Sequence, residues 1–342
     1  MSGTTKLLVT VPELEGREDL LAEIAAISPR LEITQRACRS HAEVTAALGD
    51  EEIIYTMWFP ETLRPDSQLR WLQMTSTGVD NKLSSPVFDP PNGVVVTCAA
   101  GCHAIPIAEY CLFAMGLLVR GLLGFYRDQQ QKVRDRSHST LTDLWGQTVG
   151  IVGYGHIGRE VARLAKSFNM RVLALKRHPE RRQAEGFELT GVGDPDGSIP
   201  ETIFGPRDLA ALLAESDFVV STVPMTTETA HIFDDGAFAA MRRGAYFINV
   251  SRGGIVDHDA LVRALEQGTI QGACLDVLHT DPRPLPPEHP LWSFDNVLLT
   301  PHVSGNRNSH YIRRVQDLFL TNLRRYMRDE PLVNVVTRAK GY

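Results

Sequence analysis

At 342 residues the chain exceeds what one hydrophobic core usually supports, so two domains are expected. Its 43% hydrophobic and 22% charged residues are ordinary for a globular protein able to bury a sizeable core, and a formal net charge of −6 excludes a global pull toward nucleic acid or anionic membrane. The five cysteines, Cys38, Cys98, Cys102, Cys111 and Cys274, are scattered, which argues for a reducing compartment and against a disulfide framework. Cys98 and Cys102 lack a second pair at zinc-site spacing and read as small buried hydrophobes, so no metal is expected.

The run at residues 7–11 is too short for a signal-peptide core, is closed by Pro12, Glu13 and Glu15, and reads as a first strand. Helical apolar spacing over 17–27 and 41–48 alternates with β-branched runs at 31–34, 53–57, 69–75 and 94–98. That βαβ alternation predicts a parallel sheet with covering helices. Met57-Trp58-Phe59, at a strand end, either wall an apolar pocket or pack in the core. From about residue 104 the pattern changes. Residues 105–118 form a long apolar helix, interrupted by Glu109 and too short to span a bilayer, and a polar stretch follows over 127–139. A second βαβ series places strands at 148–152, 171–175, 218–223, 245–250, 273–278 and 296–300. Residues 186–205, rich in Gly, Pro and Asp, predict a surface loop, and 311–329 an amphipathic helix. With no targeting or membrane signal, the cytoplasm is the expected location.

The strongest motif is Val149-Gly150-Ile151-Val152-Gly153-Tyr154-Gly155-His156-Ile157-Gly158. Its G-x-G-x-x-G spacing follows a strand and opens a helix, the context that a dinucleotide loop requires. Gly153 permits the tight turn, Gly155 lets backbone approach a pyrophosphate, and Gly158 allows close helix–strand packing. The pyrophosphate would then rest on helix N-terminal amides. About 20 residues further on, an acidic residue usually binds the adenosine ribose. Here Lys176-Arg177 stand there, with Arg181 and Arg182 soon after. Cations attract a 2′-phosphate, so NADP is favoured over NAD; a solvated basic strand end is the alternative.

Three segments then place polar groups after strands: Asn249-Val250-Ser251-Arg252-Gly253-Gly254, Leu275-Asp276-Val277-Leu278-His279-Thr280-Asp281-Pro282, and Thr300-Pro301-His302-Val303-Ser304-Gly305. Ligands of open α/β sheets bind outside the carboxyl ends of strands, so Arg252, Asp281 and His302 are expected to share one cleft. A 2-keto acid needs a cation for its carboxylate and carbonyl, and a guanidinium fork suits both. Reduction needs a proton donor near neutral pH, which imidazole supplies, and a carboxylate beside it orients it and favours its charged form. Singly, each residue is better explained by a surface ion pair, a strand-end histidine or a turn; the set in this order is not.

These segments together make the chain resemble the D-isomer-specific 2-hydroxyacid dehydrogenase family, which includes phosphoglycerate dehydrogenases, glyoxylate/hydroxypyruvate reductases and formate dehydrogenases. The resemblance covers nearly the whole chain and is strongest from residue 101 to 305. It implies an α/β fold of two doubly wound parallel-sheet domains. A Rossmann cofactor domain, 104–300, is inserted into a flavodoxin-like substrate domain, 1–103, to which 301–342 return. It implies that Arg252 binds substrate, that His302 is the acid/base, and that Asp281 takes the place of the family's usual glutamate. The implied cofactor site comprises Gly153, Tyr154, Gly155, His156, Ile157, Gly158, Lys176, Arg177, Val223, Pro224, Thr229, Val250, Ser251, Asp276 and Gly305, with Asp276 on the nicotinamide carboxamide. Thr226 belongs to the same Pro224–Thr229 loop. Thr77, Gly78 and Val79 would receive the substrate carboxylate on their amides, and His103 stands where the family often has asparagine. A homodimer built around 105–145 is also implied.

The reaction implied is direct hydride transfer between NAD(P)H and a small 2-keto acid held between the domains. The resemblance also admits a nicotinamide-binding corepressor or redox sensor, against which stands the expectation, from these 342 residues, of no long disordered tail to recruit partners. It admits too a dehydrogenase of formate or phosphite; formate dehydrogenases of the family carry glutamine where this chain has Asp281.

Overall fold

The computed structural model describes residues 3–78, 85–88, 93–136, 142–305 and 308–337. The chain divides into two compact units, Met1–His103 with Arg307–Tyr342, and Ala104–Asn306.

In the first unit, strands β1 (Thr5–Val9), β2 (Leu31–Gln35), β3 (Ile53–Thr56), β4 (Trp71–Met74) and β5 (Val95–Thr97) form one sheet in the order β2-β1-β3-β4-β5. Every pairing is parallel, which is the flavodoxin-like order. Helices α1 (Glu18–Ala25) and α2 (His41–Ala47) supply the crossovers. Ser40 caps α2 by accepting from the Glu43 amide at 3.2 Å. Phe59 is buried in the core and Trp58 packs against that cluster and, edge-on, against His41, so core packing accounts for this aromatic run.

The larger sheet belongs to the second unit. Strands β6 (Thr148–Val152), β7 (Arg171–Leu175), β8 (Thr202–Phe204), β9 (Phe218–Ser221), β10 (Ala245–Asn249), β11 (Ile270–Leu275) and β12 (Val297–Leu299) run in the order β12-β11-β10-β9-β6-β7-β8, all parallel. Helices α3 (Ala104–Val119) and α5 (His156–Ser167) cover one face, with α4 (Leu122–Gln130) following α3 at 69°. Helices α6 (Leu209–Glu215), α7 (Asp235–Ala240) and α8 (His258–Glu266) cover the other. The central strands β6, β9 and β10 read as apolar runs because both faces are buried: in β10, Phe247 points to one core and Ile248 to the other. Two elements depart from the sequence reading. The first part of the polar stretch is helical, as the end of α4, and its last three residues lie outside the described ones. The expected surface loop at 186–205 contains β8, an edge strand too short to register as a pattern. Among the described residues no single helix is long and apolar enough to cross a membrane.

Helix α9 (Ser309–Tyr326) packs in the first unit through polar and aromatic contacts. Phe319 stacks on Tyr55 with ring centres 4.1 Å apart. The fully buried Asn322 donates to Gln73 Oε1 at 3.1 Å, and Thr97 Oγ1 donates to the same oxygen at 2.8 Å. Trp71 Nε1 in turn donates to Thr97 at 2.8 Å. Gln73→Leu keeps the volume but strips two buried donors of their acceptor, so it should cost about 2–4 kcal/mol in urea unfolding. A cost below the scatter of surface substitutions, about 0.5 kcal/mol, would show that this web is dispensable.

Candidate functional site

The loop after β6 is shaped by its glycines. Gly153 has φ +110°, and a Cβ there would lie 2.8 Å from the carbonyl carbon of Thr222 and the amide nitrogen of Val223. A Cβ on Gly158 would lie 2.2 Å from the Gly153 carbonyl oxygen and 2.9 Å from Ile151 Cγ2, so α5 can approach β6 only here with hydrogen. Gly155 differs: a Cβ would meet nothing within 4 Å, and no side chain caps the helix it precedes. Open space above side-chain-free helix amides is what an anionic pyrophosphate needs, so the loop fits a dinucleotide. Tyr154 is buried in the core cluster of this face and donates to Asp194 Oδ2 at 2.5 Å. His156 is held low in pKa by burial, its Nε2 without a hydrogen-bond partner among the described residues, and Ile157 packs against the core.

Beyond β7, Lys176 Nζ donates to the Arg181 carbonyl and Arg177 pairs with Glu228 at 2.8 Å. The segment at 186–205 is not a loose surface loop. Asp194 is buried within it and accepts from the Ser198 and Ile199 amides, each at 3.0 Å. Arg159, also buried, donates to the Asp194 carbonyl and, at 2.6 Å, to that of Arg182. A Gly-, Pro- and Asp-rich composition signals turns, but it does not show that one aspartate is an interior anchor.

The strand register sets the rest. Asn249 stands level with Leu275, and Leu275 with Leu299, so β10, β11 and β12 end side by side. Arg252, Asp281 and His302 follow these three ends. Asn249, fully buried, shapes the first turn: its Oδ1 accepts from Ser251 Oγ at 2.6 Å and its Nδ2 donates to the Arg252 carbonyl at 3.0 Å. Ser251 Oγ also lies 3.0 Å from Ser221 Oγ, and Arg252 is half-buried. A Cβ on Gly253 would lie 1.9 Å from the carbonyl carbon of Leu278, so the Arg252 turn rests directly on the backbone leading to Asp281. Asp281 Oδ2 accepts from the Leu278 amide at 3.1 Å and stands 3.5 Å from His302 Nδ1. The structure therefore brings Asp281 and His302 together and ties the Arg252 turn to the same segment.

Asp276 is fully buried, and its carboxylate is engaged by this chain: Oδ1 accepts from Thr300 Oγ1 at 2.6 Å and the Val303 amide at 2.8 Å, and Oδ2 from the Ser304 amide at 2.9 Å. Its backbone carbonyl accepts from the His302 amide at 2.8 Å. His302 has φ +56°, a conformation that persists only where surrounding bonds fix it. Val223, Val250 and Ser251 are buried, Gly305 is half-buried beside Ser304, and Thr229 Oγ1 donates to the Pro224 carbonyl at 2.7 Å. In the other unit, Thr77 Oγ1 donates to the Ala99 carbonyl at 2.9 Å beside Gly78, and His103 stacks on Tyr311 with centres 4.0 Å apart. Val79 lies outside the described residues. Sequence reasoning missed Asn249, Ser221, Arg159 and Asp194; their only signal is a polar residue inside an apolar pattern.

The glycines separate folding from ligand binding. Gly158→Ala should cost about 1–3 kcal/mol and lower Tm by several degrees. Gly155→Ala should leave Tm within about 2 °C yet raise the Kd for a nicotinamide dinucleotide about tenfold or more. Calorimetric melts and binding titrations check both; equal effects of the two changes on both quantities would contradict this division.

A family model described as D-isomer specific 2-hydroxyacid dehydrogenase, NAD binding domain, matches residues 112–304. The chain is 26% identical over 337 residues to a D-3-phosphoglycerate dehydrogenase of Methanocaldococcus jannaschii, covering 97% of this chain and 59% of that protein. It is 35% identical over 217 residues to a glyoxylate reductase of Thermofilum pendens, covering 62% of this chain and 59% of that one. The chain thus spans about three fifths of the length of these curated relatives. A solved D-isomer specific 2-hydroxyacid dehydrogenase from Xanthobacter autotrophicus, in complex with NADPH and MES, superposes with a TM-score of 0.72 at 25% identity over 99% of this chain and all of that one. With more than half of its length matched by that model, behind a glycine loop and a row of strand ends built as described, the chain belongs to the D-isomer specific 2-hydroxyacid dehydrogenase family.

Proposed function

We propose that the protein is an NAD(P)-dependent oxidoreductase that interconverts a small 2-keto acid and its D-2-hydroxy acid, with His302 as acid/base. The observation that carries this reading is the Asp281 carboxylate 3.5 Å from His302 Nδ1, on the loops that follow β11 and β12. With Nδ1 beside that carboxylate, Nε2 is the ring nitrogen we assign to the substrate oxygen. A nicotinamide dinucleotide, when bound, supplies the hydride to the keto carbon. His302 gives a proton to the carbonyl oxygen, and Arg252 holds the carboxylate and offsets negative charge growing on that oxygen. The chain thus provides the proton source and the fixed positive charge, each on a turn braced by buried hydrogen bonds. Thr77, Gly78, Val79 and His103 are the proposed further substrate contacts, and the relatives named as glyoxylate reductase and phosphoglycerate dehydrogenase support a small 2-keto or 2-hydroxy acid.

In a screen of 2-keto acids such as glyoxylate and hydroxypyruvate, turnover is expected with at least one. His302→Ala should then lower kcat by about 10²–10⁴-fold with cofactor Kd near wild type. Asp281→Asn keeps the shape but removes the carboxylate charge beside the ring that gives the proton, so reduction should suffer more than oxidation. A His302→Ala variant with more than half the wild-type activity would remove His302 from the mechanism.

NADPH is proposed as the preferred cofactor. Lys176 and Arg177 supply the cations, and their present partners are weak: the Arg177–Glu228 side chains are 42% and 73% exposed, and such a pair contributes about 0–1 kcal/mol. The relative solved with NADPH supports the same choice. A ratio of kcat/KM for NADPH over NADH of about 10–100 is expected, falling toward one when Lys176 and Arg177 are both alanine. A ratio at or below one in the wild type would refute the preference.

A homodimer is proposed as well. Phe113 on α3, Tyr126 on α4 and Trp145 are 73%, 63% and 71% exposed, which is apolar surface suited to a second copy. The five thiols are all buried and unpaired, which suits the reducing cytoplasm.

A further inference from the structure

We infer that Tyr110 and Thr300 are positioning residues that hold the His302 loop in its working geometry through Asp276; this rests on the proposed role of His302. Tyr110 lies on α3, on the core side of the sheet. Its hydroxyl is 2.6 Å from Thr300 Oγ1 and 3.1 Å from Cys274 Sγ. The directions of these bonds follow from the far end. A carboxylate only accepts, so the single Thr300 proton goes to Asp276 Oδ1. Tyr110 must then give its proton to Thr300, and the Cys274 thiol gives its own to Tyr110. Burial pushes the phenol of Tyr110 up and the thiol of Cys274 up to about 12, so both keep those protons in the neutral range.

The result is a one-way chain, Cys274 to Tyr110 to Thr300 to Asp276. Asp276 hands on the constraint, because its carboxylate accepts from the amides of Val303 and Ser304, which follow His302, while its backbone carbonyl accepts from the His302 amide itself. Packing alone would be served by phenylalanine and valine at positions 110 and 300. The hydroxyls add direction: they fix Asp276 Oδ1, the oxygen that accepts from the Val303 amide directly after the left-handed His302. The sequence gives no hint of this, since Tyr110 falls inside an apolar helical run 190 residues before Thr300.

Two measurements test the inference, one independent of activity. Thr300→Val removes the hydroxyl at constant shape. Hydrogen exchange at the Val303 and Ser304 amides should quicken by about tenfold or more, while the β6 amides stay unchanged. In the keto-acid assay kcat should fall by about 10–100-fold with the cofactor KM within about twofold. Thr300→Ser restores the donor and should recover both readouts to within about threefold. Tyr110→Phe should lower kcat by about 3–10-fold, and the double variant Tyr110→Phe/Thr300→Val should be no worse than Thr300→Val alone, because the first acts through the second. Unchanged amide exchange in Thr300→Val, a serine variant as impaired as valine, or additive losses in the double variant would overturn the inference. If the wild type reduces no 2-keto acid, the proposed function fails instead, and the exchange data still decide whether the relay holds the loop.

Discussion

One row of residues constrains everything at the candidate site. In the larger sheet Leu175, Val152, Ser221, Asn249, Leu275 and Leu299 stand level on six adjacent parallel strands. Parallel pairing leaves every following residue on the same edge, about 4.8 Å from its neighbour strand's successor. Gly153, Lys176, Thr222, Arg252, Asp276 and Thr300 all come within three positions of that row. The chain reverses its order of strands at β6, so the glycine loop opens at the switch point, where such sheets bind ligands. No single side chain creates the site; a register does, and the side chains elaborate it.

The elaboration is polar and interior. Buried Asn249, Ser221 and Ser251 build one turn, and buried Asp276 with Thr300 builds another. A buried carboxylate is costly unless its acceptor capacity is met, so Asp276 and its loop enforce each other. Where turns meet, glycine replaces the polar solution: Gly253 lets two backbones touch where any side chain would clash.

Much of this was legible from residues alone, and the limits have a physical pattern. β6 and β7 were read to the residue because strands buried on both faces are continuous apolar runs ended by Gly153 and Lys176. The glycine spacing was legible because Gly153 and Gly158 answer local steric demands and Gly155 leaves the space before α5 open. Asp281 and His302 were legible as types after strand ends, and the 3.5 Å contact agrees with their pairing. β8 was not read, since three edge residues carry no period. The anchoring of Asp194 by Arg159 was not read either, nor was the full engagement of Asp276 by its own chain. Such bonds join residues 24 to 190 positions apart, and no window of sequence contains both partners.

The left-handed backbone at His302 reaches beyond the proposed chemistry. Asparagine and glycine accept that conformation readily, whereas β-branched residues do not. The position therefore has a built-in exit: one substitution to asparagine removes the imidazole without disturbing the turn. Under the proposed mechanism such a chain would lose its proton donor while keeping the glycine loop after β6 and the buried hydrogen bonds around Asn249 and Asp276. The step from the proposed turnover of a nicotinamide dinucleotide to merely binding one would then be a single residue, and it would run through a torsion angle.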